Sequence, residues 1–355
     1  TFNGTSYLRP QGMTGRGLMA FHGSLMGSDN FKYKARKIDA DTCSFKLDDE
    51  EPEPGTDPFA FATENINGHV DFDKREGEFK SNDGESTVHF PANKYLCKMD
   101  MFTWYMDQGE IELAKNEGTD VNIETDLDLA GSNFYSTHPK QDSLNFKAPK
   151  AKFAIKTKVI TCSKTEFIDV ADARIFPDSM KVVIRRNAKM DELINSKIVA
   201  NYITKYHQII NAKTKITARK AYKASGDYPY YDIDSNQSLI YFKDIRLDEG
   251  FQTIAEGKIK EDRKFKFSPQ FDFYGDVSMK SSDPFLTFTG ATRISHDCAS
   301  MAKNWMSFSA QINPKEIMIP VSNTMKNLEG KPLSAGIVLR DSEEEDSVDV
   351  YPTFL

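Results

Sequence analysis

The sequence predicts an all-β protein. Its expected form is an elongated stack of short strands of the β-solenoid or β-jellyroll (taco-like) kind, with two β-sandwich domains as the alternative. Three observations carry this. Apolar and polar residues alternate with period two along most of the chain, and the helical period near 3.6 is almost missing. Turn chemistry recurs at short intervals. The hydrophobic share is only 39%, below the roughly 45–50% of ordinary globular chains, which favours thin stacked sheets over a thick layered core.

The strands can be followed in order. In Phe31-Lys-Tyr-Lys-Ala-Arg-Lys the rings and the alanine take one face and the cations the other. Phe265-Lys-Phe-Ser, Phe271-Asp-Phe-Tyr, Leu286-Thr-Phe-Thr and Ile317-Met-Ile-Pro repeat the pattern. Aromatic and β-branched side chains fit a pleated, half-buried surface, and 25 Phe with 14 Tyr supply much of its apolar area. Asn82-Asp83-Gly84, Asp107-Gln108-Gly109, Ser225-Gly226-Asp227, Asp248-Glu249-Gly250 and Ser281-Ser282-Asp283-Pro284 read as turns, because glycine and Asx residues accept the left-handed backbone of tight corners. Two segments have some helical character, one turn at Met190–Asn195 and a stretch from Asp297, as N-cap, to Trp305, and both read rather as local corners of a β fold.

Two regions are expected: 1–150, with an exposed acidic, proline-rich loop at 48–58, and 151–355, continuous with the first. A second acidic run at 341–346 reads as a solvated loop between strands at Gly336–Leu339 and Val348–Tyr351. Thr1 opens the chain without a leader, and Tyr351-Pro-Thr-Phe-Leu makes an apolar end, so the chain is expected to be a processed product or a piece of a longer one. No segment reaches the roughly 18 apolar residues of a membrane-spanning helix. The net charge of −7 comes without a basic field, which argues against nucleic acid as a partner.

A loose grammar of strand, turn and strand recurs about every 20 to 25 residues, within the range of stacked repeats. It is seen in Gly68-His-Val-Asp-Phe-Asp with Gly77-Glu-Phe-Lys, in Ala171–Asp178 with Lys181-Val-Val-Ile, and in Gly275-Asp-Val-Ser-Met-Lys with Phe285-Leu-Thr-Phe-Thr. Gly15-Arg-Gly-Leu-Met-Ala-Phe, Phe31–Asp41, Ala255-Glu-Gly-Lys-Ile and Gly275-Asp-Val-Ser-Met resemble the OstA-like repeats of lipopolysaccharide-transport proteins. Ile168–Asp178 and Gly226-Asp-Tyr-Pro-Tyr-Tyr-Asp are also similar to segments of large Bacteroidetes envelope proteins. The first resemblance implies a twisted open β-jellyroll whose apolar groove carries acyl chains in the periplasm. The second implies a location in the cell envelope and no particular activity.

Chemical motifs are few. Cys43, Cys97, Cys162 and Cys298 have neither metal-ligand nor redox spacing and sit in alternating stretches, as buried thiols do. The histidines at 22, 69, 89, 138, 207 and 296 are dispersed. Phosphate cradles and nucleophile elbows are missing from the sequence. Asp39/Asp41, Asp71/Asp73, Asp126/Asp128 and Asp232/Asp234 stand two apart, at about the 6.5–7 Å that one strand face gives i and i+2. That distance suits a glycosidase pair or calcium, but a solvated face explains it equally. Phe102, Trp104, Tyr105, Tyr228, Tyr230 and Tyr231 are candidate ligand-contact aromatics if exposed, and sheet packing if buried.

These features lead to a noncatalytic, extracytoplasmic β scaffold, or a conduit for an amphipathic molecule, in a bacterial envelope. Lipid or other envelope proteins would be its partners, and no cofactor is implied. A carbohydrate-binding or polysaccharide-cleaving solenoid and a cell-surface adhesin module are the alternatives.

Overall fold

The computed structural model describes residues 1–52, 57–115, 131–295, 303–317, 319, 324–341 and 348–354. The protein is all-β, with curled antiparallel sheets and 3₁₀ turns and no α-helix among the described residues. The chain forms two compact units, 1–196 with 215–222 and 197–214 with 223–355.

The first unit opens as a meander of β1 (Phe2–Arg9), β2 (Gly12–Phe21), β3 (Ser24–Lys34), β4 (Lys37–Asp48), β5 (Phe59–Asp71) and β6 (Glu76–Ser81). The chain leaves this sheet for β7 (Ser86–Phe90) and β8 (Tyr95–Met99), then rejoins it with β9 (Met101–Tyr105) and β10 (Glu110–Ala114). A second excursion through β11 (Phe134–Ser136) and β12 (Asn145–Phe146) ends in β13 (Lys150–Ala154) and β14 (Val159–Ser163). β15 (Ile168–Val170) and β16 (Ala173–Phe176) form a hairpin, and β17 (Val182–Ile184) closes the path beside β14. The order is β1-β2-β3-β4-β5-β6-β9-β10-β13-β14-β17.

β5 forks this sheet. Its first half pairs with β7, Ala62 opposite His89, and its second half pairs with β6, from Ile66–Ser81 to Asp71–Glu76. Asn65, in the left-handed region at φ 56°, lies at the division. Rings at the fork pack on the main sheet, with Phe90 of β7 5.0 Å and Phe61 of β5 6.5 Å from Phe153.

The core has a regular register. One inward row runs Ser6, Gly15, Phe31, Ala40, Gly68, Phe79, Phe102, Leu113, Ala151, Cys162, Val182, each opposite the next on the neighbouring strand. The adjacent inward row runs Leu8, Met13, Tyr33, Ile38, Val70, Gly77, Trp104, Ile111, Phe153, Ile160, Ile184. Small residues recur among large ones because the concave side of a curled sheet has little room. A Cβ on Gly68 would meet Phe79 Cδ1 at 3.1 Å and Met26 Cε at 2.8 Å.

The outward face alternates charge instead. Lys34–Asp39 (2.8 Å), Lys37–Asp71 (2.9 Å) and Lys152–Glu110 (2.6 Å) bridge neighbouring strands. Exposed pairs of this kind add about 0–1 kcal/mol each; of the carboxylates named, Asp71 is itself buried.

β18 (Leu193–Ala200) and β19 (His207–Ala218) carry the chain between the units. The second unit continues through β20 (Ala221–Tyr231), β21 (Gln237–Leu247), β22 (Thr253–Ile259), β23 (Lys266–Ser268), β24 (Phe271–Lys280), β25 (Leu286–Ile294) and β26 (Met306–Ile312). β27 (Ala335–Asp341) and β28 (Val348–Phe354) form a separate hairpin. An inward row of the same kind runs Gly226, Phe242, Gly257, Val277, Phe288, Ala310. Phe267, on the short β23, seats its ring 4.8 Å from Phe273 and 4.7 Å from Phe288.

Several expectations change. Ser225-Gly226-Asp227 is not a turn but the bulged middle of β20, where a Cβ on Gly226 would meet Ile209 and Ala212 at 2.8 and 3.0 Å. The glycine allows close strand approach. Met190–Asn195 is a corner of the β fold, as expected, and makes no helical turn: Met190 bridges Ile184 and Leu193 starts β18, with both side chains buried and Asn195 at φ 55°. The 48–58 loop is not wholly exposed, since Asp48 ends β4 and Asp49 is buried against Lys158 at 3.2 Å, with Arg186 at 3.7 Å. Residues 53–56 lie outside the described ones. Ala171–Asp178 and Lys181–Ile184 do not form one hairpin, because β17 pairs with β14; the other two examples are the hairpins β5–β6 and β24–β25. Residues 297–302 of the second such segment, and the acidic run beyond Asp341, are outside the described residues.

Removing one partner of a buried ion pair strands the other charge and costs about 3–5 kcal/mol. The two tryptophans lie one in each unit, Trp104 on β9 and Trp305 before β26. Asp49→Ala is therefore expected to lower, by that amount, the urea-unfolding free energy reported by Trp104 fluorescence in a Trp305→Phe background. In the second unit, Gly290→Ala would drive a Cβ to 2.3 Å from the Tyr274 carbonyl. The expected loss is at least the 1–3 kcal/mol of ordinary overpacking, read from Trp305 in a Trp104→Phe background.

Candidate functional site

The aromatic candidates divide by depth. β9 turns Phe102 and Trp104 inward on the two apolar rows, and both are buried. Tyr105 stays half-buried on the charged face, its hydroxyl 3.5 Å from Glu112. On β20, Tyr230 is buried and donates to the Phe267 carbonyl at 3.1 Å, Tyr228 is half-buried, and Tyr231 is exposed. Phe102, Trp104 and Tyr230 are therefore core residues closed to a ligand, leaving Tyr231 as the fully accessible member of the set.

Tyr228 serves an internal contact. His207 is buried, and its Nε2 lies 2.6 Å from the Asp283 carbonyl, which can only accept. Nε2 therefore carries the proton, and the neutral ring accepts the Tyr228 hydroxyl at Nδ1, 3.1 Å away. Burial holds the imidazole below its ordinary value and pushes the Tyr228 phenol up to about 12. Sequence reasoning missed this pair because its members are on separate strands and the dispersed histidines carry no local motif.

The acid pairs are similarly occupied. Asp39 meets Lys34 and His69, while Asp41 accepts from Lys32 at 2.7 Å. Asp71 accepts the backbone N–H groups of Asp73 and Lys74 and pairs with Lys37. The Lys37 ammonium and these N–H groups hold its carboxyl down at about 2. Asp232 closes its turn on Asp234 and Asn236. Asp126 and Asp128 are outside the described residues. Among the described residues no group of three His, Cys, Asp or Glu could hold a metal ion. Cys43, Cys97 and Cys162 are buried free thiols, and burial lifts Cys43 to about 12; Cys298 falls outside the described residues. Thiols so raised are poor nucleophiles.

The β5 fork makes a concave place in the first unit. Where β6 and β7 part, an open cleft of about 620 Å³ is lined by Lys46, Asn65, Glu85, Ser86, Thr87 and His89, among others. Glu85 is drawn toward Lys115 and Lys98, at 3.3 and 3.6 Å. Lys46 lies 5.0 Å over the Phe59 ring. Ser86 is buried, and its hydroxyl has no hydrogen-bond partner among the described residues. The cleft offers hydroxyl, amide and cationic groups to a polar ligand. Its aromatic lining, Phe90 and Tyr95, is buried, so it lacks an exposed ring for stacking on a sugar.

Comparison with protein-family models, curated proteins and solved structures finds no match to this chain.

A histidine whose folded pKa is lowered stabilises the fold above its unfolded value and loses that contribution as pH falls through the folded one. Stability is therefore expected to decline as pH drops below about 6.5, and His207→Gln is expected to flatten that slope in urea titrations read from Trp305.

Proposed function

We propose that this chain is a noncatalytic β scaffold rather than a conduit. The observation that carries the reading is the closed packing of both units. Phe31, Phe45, Phe61, Phe79, Phe102 and Phe153 in the first, and Phe242, Phe267, Phe273 and Phe288 in the second, are all buried. An acyl-chain groove needs unfilled apolar surface beneath it, whereas the clefts at the β5 fork and beside β21 are open and edged by charged side chains, Lys46, Glu64 and Glu85 at the first and Lys258, Lys260 and Arg263 at the second. The resemblance to envelope proteins supports an extracytoplasmic setting for such a scaffold, with other envelope proteins as its partners.

A fluorescent fatty acid titrated into the protein is expected to show no saturable signal, while Phe45→Ala should cost about 3–5 kcal/mol in unfolding free energy. Saturable, stoichiometric binding would restore the conduit.

The unpartnered Ser86 hydroxyl favours one second reading, a polar ligand such as a carbohydrate in the fork cleft. On that reading a glycan array gives hits that weaken with Ser86→Ala; an array without hits removes it.

A further inference from the structure

We propose that the cleft beside β21 in the second unit binds an acidic polysaccharide, with a sugar ring lying on Tyr241 and the anionic groups of the chain paired with Lys258, Lys260 and Arg263. The site is separate from the β5 fork and stands independently of the scaffold reading, to which it adds a ligand.

Register builds the aromatic part. Three outward rungs follow one another on β20 and β21: Asp227 opposite Tyr241, Pro229 opposite Leu239, and Tyr231 opposite Gln237. Tyr241, Leu239 and Tyr231 are each more than half exposed. Ile240 and Phe242, on either side of Tyr241 in the strand, are buried, so the tyrosine is held outward on a rigid floor. This is what the fork cleft lacks, since its rings are buried.

The next strand supplies charge. Ile259 is buried, which turns Lys258 and Lys260 outward on either side of it. The 3₁₀ turn Glu261–Arg263 follows, its shape fixed by the Arg263 and Lys264 N–H groups donating to the Lys260 and Glu261 carbonyls at 3.1 Å. Arg263 and Lys264 thereby join Leu239, Tyr241 and the two lysines around one open cleft of about 720 Å³. Elsewhere outward cations are spent on carboxylates, as in Lys34–Asp39 and Lys152–Glu110. Here Lys260, Arg263 and Lys264 form no ion pair among the described residues, and Lys258 reaches Asp276 at 3.5 Å with both side chains exposed. The acids of the lining are Asp227, which accepts from Asn211 at 3.1 Å, and Asp262. Four cations against two carboxylates leave a local positive excess in a chain of net charge −7, and such a patch attracts anions.

The occupant follows from the two chemistries together. β21 is paired on both sides, with β20 and β22, so it has no open backbone edge for an extended peptide to join. Recognition falls to side chains alone. A sugar ring lays its apolar face on a tyrosine, and an acid carried on the chain then reaches the lysines. Residues i and i+2 on one strand face stand about 6.5–7 Å apart, so Lys258 and Lys260 can meet anions repeated along a polymer. A stiff chain of rings also loses less freedom on docking than an acidic peptide of equal charge. Charge alone would leave the exposed tyrosine unused, and a neutral glycan would leave the cations unpaired.

The test titrates the 355-residue chain by calorimetry with polygalacturonate and dextran sulfate, which distinguish carboxylate from sulfate as the anion. Neutral dextran, poly-glutamate and single-stranded DNA are the comparisons. At least one of the two acidic polysaccharides is expected to bind saturably, more weakly as salt is raised, and dextran is expected not to bind. Tyr241→Ala, and separately the pair Lys260→Glu with Arg263→Glu, should each raise the dissociation constant at least about tenfold, while Tyr241→Phe, which keeps the ring, should hold it within about twofold of wild type. These side chains are exposed, so the variants are expected to unfold in urea as wild type does. Failure of both acidic polysaccharides to bind overturns the proposal. So does binding of poly-glutamate or single-stranded DNA as tight as theirs, or affinity that survives Tyr241→Ala, since either would reduce the site to charge alone. Binding weakened by Ser86→Ala and not by Tyr241→Ala would place the glycan at the fork and overturn it too.

Discussion

The structure depends on the matching of small and large side chains along the inward rows. A curled sheet crowds its concave face, so a row built only of phenylalanine would either flatten the sheet or leave rings off their rotamers. Glycine and alanine at 15, 40, 68 and 151 give the rings of Phe31, Phe79 and Phe102 the space that curvature takes away. The second unit uses the same device in Gly226-Phe242-Gly257, where one ring lies between two glycines on flanking strands. Register follows from this, because a slip of one residue would send the whole row to the charged face.

The remaining features answer problems that curvature raises. A sheet with one apolar face still needs a cover, and the β5 fork supplies it from the same chain by sending β7, β8, β11 and β12 over the rings of the main path. The branch is tied to the main path by side chains as well: Asn93, between β7 and β8, donates to the Lys158 carbonyl at 2.7 Å. Asp49 enters the interior because Lys158 is there, and either charge alone would be far more costly to bury than the pair. The closed packing that disfavours a conduit is thus a consequence of the fork. Without the branch, the main sheet would present an open apolar trough.

Strand identity was legible in the sequence wherever inward and outward residues alternate, as in Phe31–Lys34 and Phe265–Phe267, since a period of two has one physical meaning. Most turns were legible for the same local reason. Gly226 misled because a glycine between polar residues looks the same whether it makes a corner or admits a neighbouring strand, and only Ile209 and Ala212 decide. Asp49 misled because its partner lies more than a hundred residues away. The aromatic candidates show the limit most clearly: Trp104 and Tyr105 are adjacent in one strand, and which of them faces the core is set by cross-strand neighbours Ile111 and Glu110. The His207–Tyr228–Asp283 contact had no signal in composition or spacing.

The two ends of the first unit's sheet differ. At β17 the inward rows finish on Val182 and Ile184, both buried, with the chain folding back so that Met190 bridges Ile184 and the buried Ala188 closes the corner. At β1 the same rows finish in solvent. An apolar row carried past its cover forgoes roughly 25 cal/mol for each square ångström left wet, and nothing in the pairing of β1 with β2 requires Leu8 to be leucine. A serine there would keep the hydrogen bonds and relieve the exposure. The two edges thus differ in cover: Val182 and Ile184 are buried at β17, whereas Leu8 is exposed at β1.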